Sequence, residues 1–228
     1  MRIIRGRFGR RKLLSNPGDV TRPITDKVKE SLFEYLEDEI QEARVADIFA
    51  GTGTIGLEAL SRGASSIVFF EKDRKAVELL RKNVATLSVE DETLCWATDV
   101  TKTSFRPKNC EGMTPFDVVF FDPPYRMVPG IVPGKPLFKS LERLAREDVT
   151  SDGALLVFRT PSRAEFRLPD VWQLDRKLEY SRMEVHWFRK QAQSTNGELL
   201  DGVLADDQPE IDDSRREADG STIDAEPT

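Results

Sequence analysis

A glycine-rich turn between a strand and a helix constrains the fold of this chain more than any other stretch. Residues 45–49 form a short apolar segment, and Gly51, Gly53 and Gly56 follow it directly. Residues 57–60 then continue as a helix. Strand, glycine turn and helix in this order are the first unit of a doubly wound α/β fold, in which the loop and the helix N-terminus hold a ligand.

An acid after the second strand suits an adenosine ligand. Glu71 follows the apolar residues 66–70, where a carboxylate can chelate two ribose hydroxyls. With the G-x-G-x-x-G spacing ahead of it, Glu71 stands at about the distance expected of the acid in a dinucleotide site. Other adenosine cofactors use the same spacing, so it does not distinguish NAD from them.

Strands and helices alternate along the rest of the chain. Helices are predicted at residues 25–38, 73–87 and 137–146. Further strands are predicted at residues 92–97, 116–121, 153–158, 174–180 and 183–188, the last two as a hairpin. The sequence therefore predicts a Rossmann-like, doubly wound α/β fold with a seven-stranded, mostly parallel sheet and a closing antiparallel hairpin.

The tetrapeptide Asp122-Pro123-Pro124-Tyr125 follows one of these buried strands. Neither proline has an N–H, so the turn is stiff and its carbonyls are free to accept hydrogen bonds from a guest. A carboxylate, a carbonyl and an aromatic ring together suit a planar group with an exocyclic amino group. This pattern favours a site that modifies an amino nitrogen of a nucleobase; the alternative is an ordinary surface turn followed by a tyrosine.

The N-terminal arm, residues 1–15, is basic. Apolar residues and two glycines alternate with its cations, which indicates a short β-hairpin able to bind phosphates. A merely solvated arm is the alternative. Arg22, just ahead of the first helix, could reach a phosphate or a cofactor carboxylate, or be a plain surface residue. The six cations of the arm, which contains no acid, are Arg2, Arg5, Arg7, Arg10, Arg11 and Lys12.

The net charge of −6 comes from the C-terminal end. Residues 191–228 carry a net charge of −9, whereas residues 1–190 carry +3. The end segment lacks aromatic residues and is rich in Asp, Gly and Ser, so we predict a disordered acidic tail. The predicted organisation is a basic hairpin at 1–20, a catalytic domain at 21–190 and the tail at 191–228.

Composition excludes several other classes of protein. No run of 18 apolar residues is present, and no apolar stretch follows the first arginines, so we expect neither a membrane span nor a secretory signal. Cys95 and Cys110 have no metal-ligand or redox spacing, which favours a reducing cytoplasm. His186 is the single histidine, most simply structural, so a histidine triad or histidine-bound metal is hard to build.

Two loop segments carry open predictions. Asp99 follows the third strand, where it either accepts from an adenine amino group or caps a turn. Residues 126–135, with three prolines and two glycines, are predicted to form a mobile lid.

Together these features resemble the class I S-adenosylmethionine-dependent methyltransferases that methylate amino groups. The chain is most similar to the RsmD-like enzymes, which methylate the N2 amino group of a guanine in 16S ribosomal RNA. The resemblance covers residues 1 to about 190, and its most specific stretches are residues 22–33 and 47–64. Residues 135–150, the Arg159-Thr160 strand end and the acidic tail depart from the family pattern.

The resemblance implies a role for each matching residue. The methionine end of S-adenosylmethionine would lie against Asp47, Phe49, Gly51 and Gly53. Glu71 would bind the ribose, Asp99 the adenine, and the cationic arm with Arg22 the RNA. Asp122, Pro123 and Tyr125 would hold the flipped target base for direct methyl transfer without a metal. The implied partner of this monomer is 16S ribosomal RNA or the assembling small subunit.

Three alternatives remain open from the residues alone. The tetrapeptide fits an N6-adenine or N4-cytosine methyltransferase acting on DNA or RNA equally well. An NAD-dependent oxidoreductase would explain the glycines but not the prolines. A noncatalytic RNA-binding module for ribosome assembly would need neither Asp122 nor Glu71.

Overall fold

The computed structural model describes residues 1–15, 25–108, 110 and 112–192, and in these the alternating elements build one sheet. The strands are β1 (Arg44–Ile48), β2 (Ser66–Glu71), β3 (Thr93–Ala97), β4 (Phe116–Phe121), β5 (Thr150–Pro161), β6 (Trp172–Tyr180) and β7 (Met183–Lys190). The helices are α1 (Asp26–Glu34), α2 (Glu37–Ile40), α3 (Thr54–Ser61), α4 (Arg74–Leu87) and α5 (Pro136–Leu144).

The sheet has the order β3-β2-β1-β4-β5-β7-β6, with the first five strands parallel and β7 antiparallel to both neighbours. The predicted fold is therefore confirmed. Because β1 lies between β2 and β4, the connections leave it in opposite directions, and a crevice opens beyond the carboxyl ends of these strands. Asp122 donates its backbone N–H to the Ile48 carbonyl across this crevice, at 3.3 Å.

Apolar side chains fill both faces of the sheet. On one face the helices α1, α3 and α4 pack over Val45, Phe69 and Phe120; on the other, α5 packs over Phe70 and Phe158. A strand that is buried on both faces consists of a continuous run of apolar residues, and this pattern predicts the strands at residues 66–70 and 116–121. No helix in the described part of the chain is both long and apolar enough to cross a bilayer.

The first helix is shorter than predicted. Thr25 caps it as expected, since its Oγ1 accepts the Val28 N–H at 3.3 Å. The helix ends at Glu34, and a turn leads into the one-turn helix α2 rather than continuing to residue 38. Leu36 nevertheless stays fully buried, so the predicted apolar stripe is preserved through the turn.

The N-terminal arm is a hairpin that docks on the sheet domain. Arg2 and Lys12 pair in an antiparallel bridge, and Ile3 and Leu13 are buried in the core. The fully buried Glu58 of α3 accepts the backbone N–H groups of Ile4 and Arg5 at 2.7 and 3.1 Å. Lys29 and Arg62 pair with the same carboxylate. The arm is thus fixed by burial and by a charged anchor.

Two loop predictions need correction or remain outside the structure. The segment predicted as a lid begins with a 3₁₀ helix, Tyr125–Gly130, and Val128 and Ile131 are fully buried. These side chains tie that part of the segment to the core, so the prediction of a lid is wrong there. Arg22 and the predicted tail from residue 193 onward lie outside the described residues.

The single histidine, His186, is buried, and its Nε2 lies 3.1 Å from the Thr160 hydroxyl, as expected for a structural histidine.

Candidate active site

The glycine turn leaves an open space beside the sheet. Gly51 and Gly53 both have positive φ, +57° and +82°, a region that other residues enter at a cost. A Cβ at Gly53 would overlap the Leu80 side chain, whereas a Cβ at Gly51 would meet no atom within 4 Å. Gly53 is therefore required by packing, and Gly51 borders space that a ligand can fill.

Asp47 lies at the floor of this turn and is 1% exposed. Its Oδ2 accepts the Gly56 N–H at 2.9 Å. Burial raises the pKa of Asp47 to about 7; the Gly56 hydrogen bond opposes the rise, and the nearby charges of Asp122 and Glu71 add to it. Close to neutral pH, this carboxyl group can therefore gain or lose a proton.

Glu71 connects the glycine turn with the next helix. Its Oε2 accepts the Gly51 N–H at 2.9 Å, and its Oε1 accepts the Lys72 and Asp73 N–H groups at 2.8 Å. These bonds fix both carboxylate oxygens, and they leave one lone pair, on Oε2, for a further donor. Glu71, the residue predicted to bind the ribose, is thus held rigidly next to the open space at Gly51.

Asp99 and Phe49 flank the same region. The Asp99 Oδ1 accepts from the Thr101 N–H and hydroxyl, at 2.9 and 2.7 Å, so Asp99 does cap a turn. The Thr101 bonds lower the pKa of Asp99. Contact between Asp99 and an adenine remains a prediction. Phe49 has a φ of +66°, rare for a bulky residue, and its ring packs edge-on against Phe121.

The Asp122 tetrapeptide follows β4 on the other side of the crevice, and its acid is not free. The Arg159 Nε donates to Asp122 Oδ1 at 2.9 Å, and Nη2 donates to Oδ2 at 2.6 Å. The Arg159 guanidinium also lies 6.0 Å from the centre of the Tyr125 ring. The Pro124 carbonyl accepts the Met127 N–H, but no donor among the described residues reaches the Pro123 carbonyl.

The six cations of the N-terminal arm divide into two groups. Arg2 pairs with Asp26 and Arg5 with Glu30, both at 2.8 Å, and Arg7 pairs with Glu92. Their positive charge is therefore partly offset within the protein. The second group forms no ion pair with any described residue and is exposed; it comprises Arg10, Arg11 and Lys12.

Sequence comparison places this site in a family. The family described as "Conserved hypothetical protein 95" matches residues 1–189. The chain is 33% identical to ribosomal RNA small subunit methyltransferase D of Escherichia coli K12 over 196 residues, 85% of this chain and 91% of that protein. The chain belongs to the RsmD-like methyltransferase family.

Other relatives agree. The protein of the same name from Haemophilus influenzae is 32% identical over 175 residues, 76% of this chain and 86% of its own. The solved structure of yhhF from Escherichia coli has a TM-score of 0.70 at 31% identity and covers 85% of this chain and 99% of its own. An RNA methyltransferase from Salinibacter ruber, solved with S-adenosylhomocysteine, shares the fold, with a TM-score of 0.55 at 19% identity, covering 75% and 95%.

Two polar residues of this RsmD-like methyltransferase escaped the sequence prediction. Arg159 lies one residue beyond the predicted end of its strand, residues 153–158. A strand predicted to run further would have placed Arg159 at the same sheet edge as Asp122. Asn83 in α4 is 2% exposed and exchanges two backbone hydrogen bonds with Leu14 of the arm, at 2.8 and 3.1 Å. Asn83 also donates to the Thr52 carbonyl in the glycine turn at 2.9 Å, linking arm and turn. No local signal marks such a bridge.

A cavity of about 980 Å³ lies beyond the carboxyl end of β5. Phe166, Phe188 and Lys177 are among its lining residues, and none of the predicted cofactor residues borders it. The open space beside Gly51 is therefore a separate feature. Within the described ranges, no three acidic, cysteine or histidine side chains are grouped so that they could hold a metal ion.

Proposed function

We propose that this protein transfers a methyl group from S-adenosylmethionine to the exocyclic N2 amino group of a guanine in 16S ribosomal RNA. The observation that carries the proposal is the position of the Asp122 tetrapeptide, directly across the sheet crevice from the glycine turn, Asp47 and Glu71. A cofactor site and an amino-group acceptor thus face one gap. The relatives named as small-subunit ribosomal RNA methyltransferases support the choice of substrate.

The glycine turn and its neighbours fit an adenosine cofactor with an amino acid end. Glu71 keeps one free lone pair, on Oε2, for a ribose hydroxyl, and a second hydroxyl would have to share an oxygen with a backbone N–H. Asp99 has an unused oxygen, Oδ2, for the adenine amino group. Asp47 and Phe49 border the turn where the methionine end would lie, beside the open space at Gly51. The bound cofactor supplies an electrophilic methyl group, and the chain's task is alignment.

The tetrapeptide would hold the flipped base. The Tyr125 ring offers a stacking surface, while Asp122 and the Pro123 carbonyl accept the two amino N–H groups. This arrangement directs the nitrogen lone pair toward the cofactor side of the crevice. Because Arg159 offsets the charge of Asp122, and Asp47 is only partly ionised near neutral pH, the negative field that favours positive charge on the amine comes mainly from Glu71.

The unpaired cations of the arm would grip RNA phosphates. Arg10, Arg11 and Lys12 are the strongest candidates, since Arg2, Arg5 and Arg7 already have acidic partners. Arg22 belongs to the same proposal. We further propose that the protein acts as a monomer in the cytoplasm on 16S ribosomal RNA or the assembling small subunit, with the hairpin, the domain at 21–190 and the tail as separate parts.

Methyl transfer from labelled S-adenosylmethionine to 16S RNA and to partly assembled small subunits tests the proposal. Wild type is compared with Asp122→Ala, with Asp122→Asn as a milder variant and Asp170→Ala as control. Asp170 is a carboxylate whose side chain is 90% exposed, and it pairs only weakly with Arg167. Digestion of the RNA identifies the labelled nucleoside, and S-adenosylhomocysteine binding shows that each variant is folded.

We expect label in N2-methylguanosine with wild type and Asp170→Ala, and at least about a 100-fold loss with Asp122→Ala because the amino group loses its acceptor. Label in N6-methyladenosine or N4-methylcytidine would keep a methyltransferase and reject guanine. Binding of NADH instead of S-adenosylhomocysteine would reject the cofactor. Tight RNA binding without transfer, unchanged by Asp122→Ala, would indicate a noncatalytic module.

A further inference from the structure

Arg159 holds Asp122 in a geometry that few buried ion pairs achieve. Both carboxylate oxygens receive a hydrogen bond from one edge of the guanidinium, at 2.9 and 2.6 Å. The side chains are 11% and 16% exposed, so solvent competes little for either group. A two-point contact fixes the plane of a carboxylate as well as its distance, which a single bond cannot do.

The surroundings of Asp122 are otherwise negative. The charges of Asp122 and of Glu71, at the end of β2, both act on the buried Asp47 of β1. Among the described residues, Arg159 is the only cation that pairs with any of these three carboxylates. Burial works against the charge of Arg159, yet the neighbouring Asp122 carboxylate raises its pKa overall.

One nitrogen of Arg159 has no partner. Nη1 is shielded from solvent and finds no acceptor in the described part of the chain. An unpaired buried N–H costs about 1–3 kcal/mol, so a protein that keeps one gains something elsewhere. At Arg159 the two bonds to Asp122 are the visible gain.

We infer that Arg159 is a positioning residue for the proposed methyl transfer: it fixes the plane of the Asp122 carboxylate, so that the outer lone pairs face the target amino group. Without Arg159, the Asp122 carboxylate rotates more freely. A rotated carboxylate accepts fewer hydrogen bonds from the amine.

The first test needs no RNA substrate. NMR on the full chain with ¹³C-labelled aspartate observes the Asp122 carboxyl carbon at one fixed pH, with Asp122→Asn for assignment. We expect one sharp signal in wild type and a shifted, broadened signal in Arg159→Met, because the carboxylate then samples several orientations. Arg159→Lys should leave the signal broadened, because a single ammonium group cannot fix the carboxylate plane. A signal in Arg159→Met with the position and width of wild type would overturn the inference.

Arg62→Met is the matched control. The Arg62 side chain is 12% exposed, pairs with the buried Glu58, lies 5.1 Å from the Phe33 ring centre and also has a buried nitrogen without an acceptor. Its loss therefore imposes a comparable structural cost away from the crevice. We expect Arg62→Met to lower the melting temperature without changing the Asp122 carboxyl signal; a change as large as that of Arg159→Met would mean that general loosening, not loss of the pairing, is responsible.

Kinetics then tests positioning separately from charge. This step rests on the proposed function. With an RNA that wild type methylates, Arg159→Met should lower kcat about 10–100-fold and leave KM for S-adenosylmethionine within about twofold. Arg159→Lys should not restore kcat, since lysine keeps the charge but cannot fix the carboxylate plane. Full recovery of kcat by lysine would overturn the role in orientation; an inactive wild type would reject the proposed function while the NMR result still decides the pairing.

Discussion

The carboxyl groups of Asp47, in β1, and Asp122, just after the neighbouring β4, lie in different environments. Asp47 is fully enclosed and has one backbone hydrogen bond, and burial raises its pKa to about 7. Asp122 has a bidentate arginine partner that favours its charged form. The same residue type therefore serves two purposes: Asp122 remains a hydrogen-bond acceptor, and Asp47 can change its charge near neutral pH.

The buried Asp47 should make stability depend on pH. Because its pKa is raised from 3.8 to about 7, its contribution is fully present below pH 4 and is lost as the pH rises through 7. Asparagine can still accept the Gly56 N–H but does not titrate. We expect the unfolding free energy of Asp47→Asn, relative to wild type, to improve by about 2–3 kcal/mol between pH 5 and pH 8.

Urea unfolding at four pH values checks this expectation. Asp99→Asn is a suitable control: hydrogen bonds lower the pKa of Asp99 from 3.8, so it stays ionised in both states and its difference from wild type should be constant between pH 5 and pH 8. A constant difference between Asp47→Asn and wild type across the range would contradict the raised pKa.

Replacing the two glycines of this turn with alanine should have different effects, one mainly on stability and the other mainly on ligand binding. Gly53→Ala meets the Leu80 side chain at a φ of +82°, so we expect about 2–3 kcal/mol lost from stability. Gly51→Ala meets nothing within 4 Å and should cost only about 1–2 kcal/mol, from its positive φ. The added methyl group occupies the open space, however, and should weaken S-adenosylhomocysteine binding at least about tenfold.

Calorimetric titration and thermal unfolding of both variants separate the two effects. Wild-type affinity in Gly51→Ala would mean that the cofactor lies elsewhere.

At the scale of elements, the N-terminal arm is fixed to the sheet domain by several contacts. Glu58 binds its backbone, Asn83 binds Leu14, and Ile3 is buried beneath it. These contacts leave Arg10, at the end of the turn, and Arg11 and Lys12, on the returning segment, exposed to solvent. A docked hairpin loses little entropy on binding RNA, so its cations act from a fixed position.

The two groups of arm cations should contribute unequally to RNA binding. Replacing Arg10, Arg11 and Lys12 with alanine removes three unpaired charges, and we expect the salt dependence of log K to flatten by about 2, near 0.7 for each single-strand phosphate contact. Replacing Arg2, Arg5 and Arg7 removes charges that acids already offset, so the slope should change less. Filter binding to 16S RNA fragments from 50 to 400 mM salt measures both, and equal slopes for the two triple variants would contradict the division.

At the scale of the whole molecule, charge is separated along the chain. Residues 1–190 carry +3 and residues 191–228 carry −9. A polyanionic segment competes with RNA for the same basic surface whenever it can reach it. This hypothesis concerns residues that lie almost entirely outside the described ranges, and so it depends on charge alone.

Deleting residues 191–228 should tighten RNA binding several-fold at about 50 mM salt and have no effect at about 0.5 M, where the Debye length is only a few ångströms. The control is a full-length chain whose tail acids are replaced by Asn and Gln. If the tail competes through its charge, the chain with the neutralised tail should bind RNA as tightly as the chain without residues 191–228. Unchanged affinity in both variants would exclude the hypothesis.

The sequence by itself determined the local elements and most of the cofactor side of the crevice. Continuous apolar runs specify buried strands, Thr25 specifies a cap, and Gly51 and Gly53 specify a turn with positive φ, because each depends on neighbours within a few residues. The same reasoning located Glu71 and Asp122 at strand ends, and strand ends of a parallel sheet share one edge. Asp47 came instead from the family resemblance.

Only the tertiary structure decided which charges pair. Asp122 and Arg159 are 37 residues apart and meet because β4 and β5 are adjacent and in register. Glu58 meets the arm, and Arg7 meets Glu92, across still longer separations. Such contacts follow from packing and register, which no local pattern encodes. The sequence could therefore name Asp122 as the proposed acceptor for the target base, but not its pairing with Arg159.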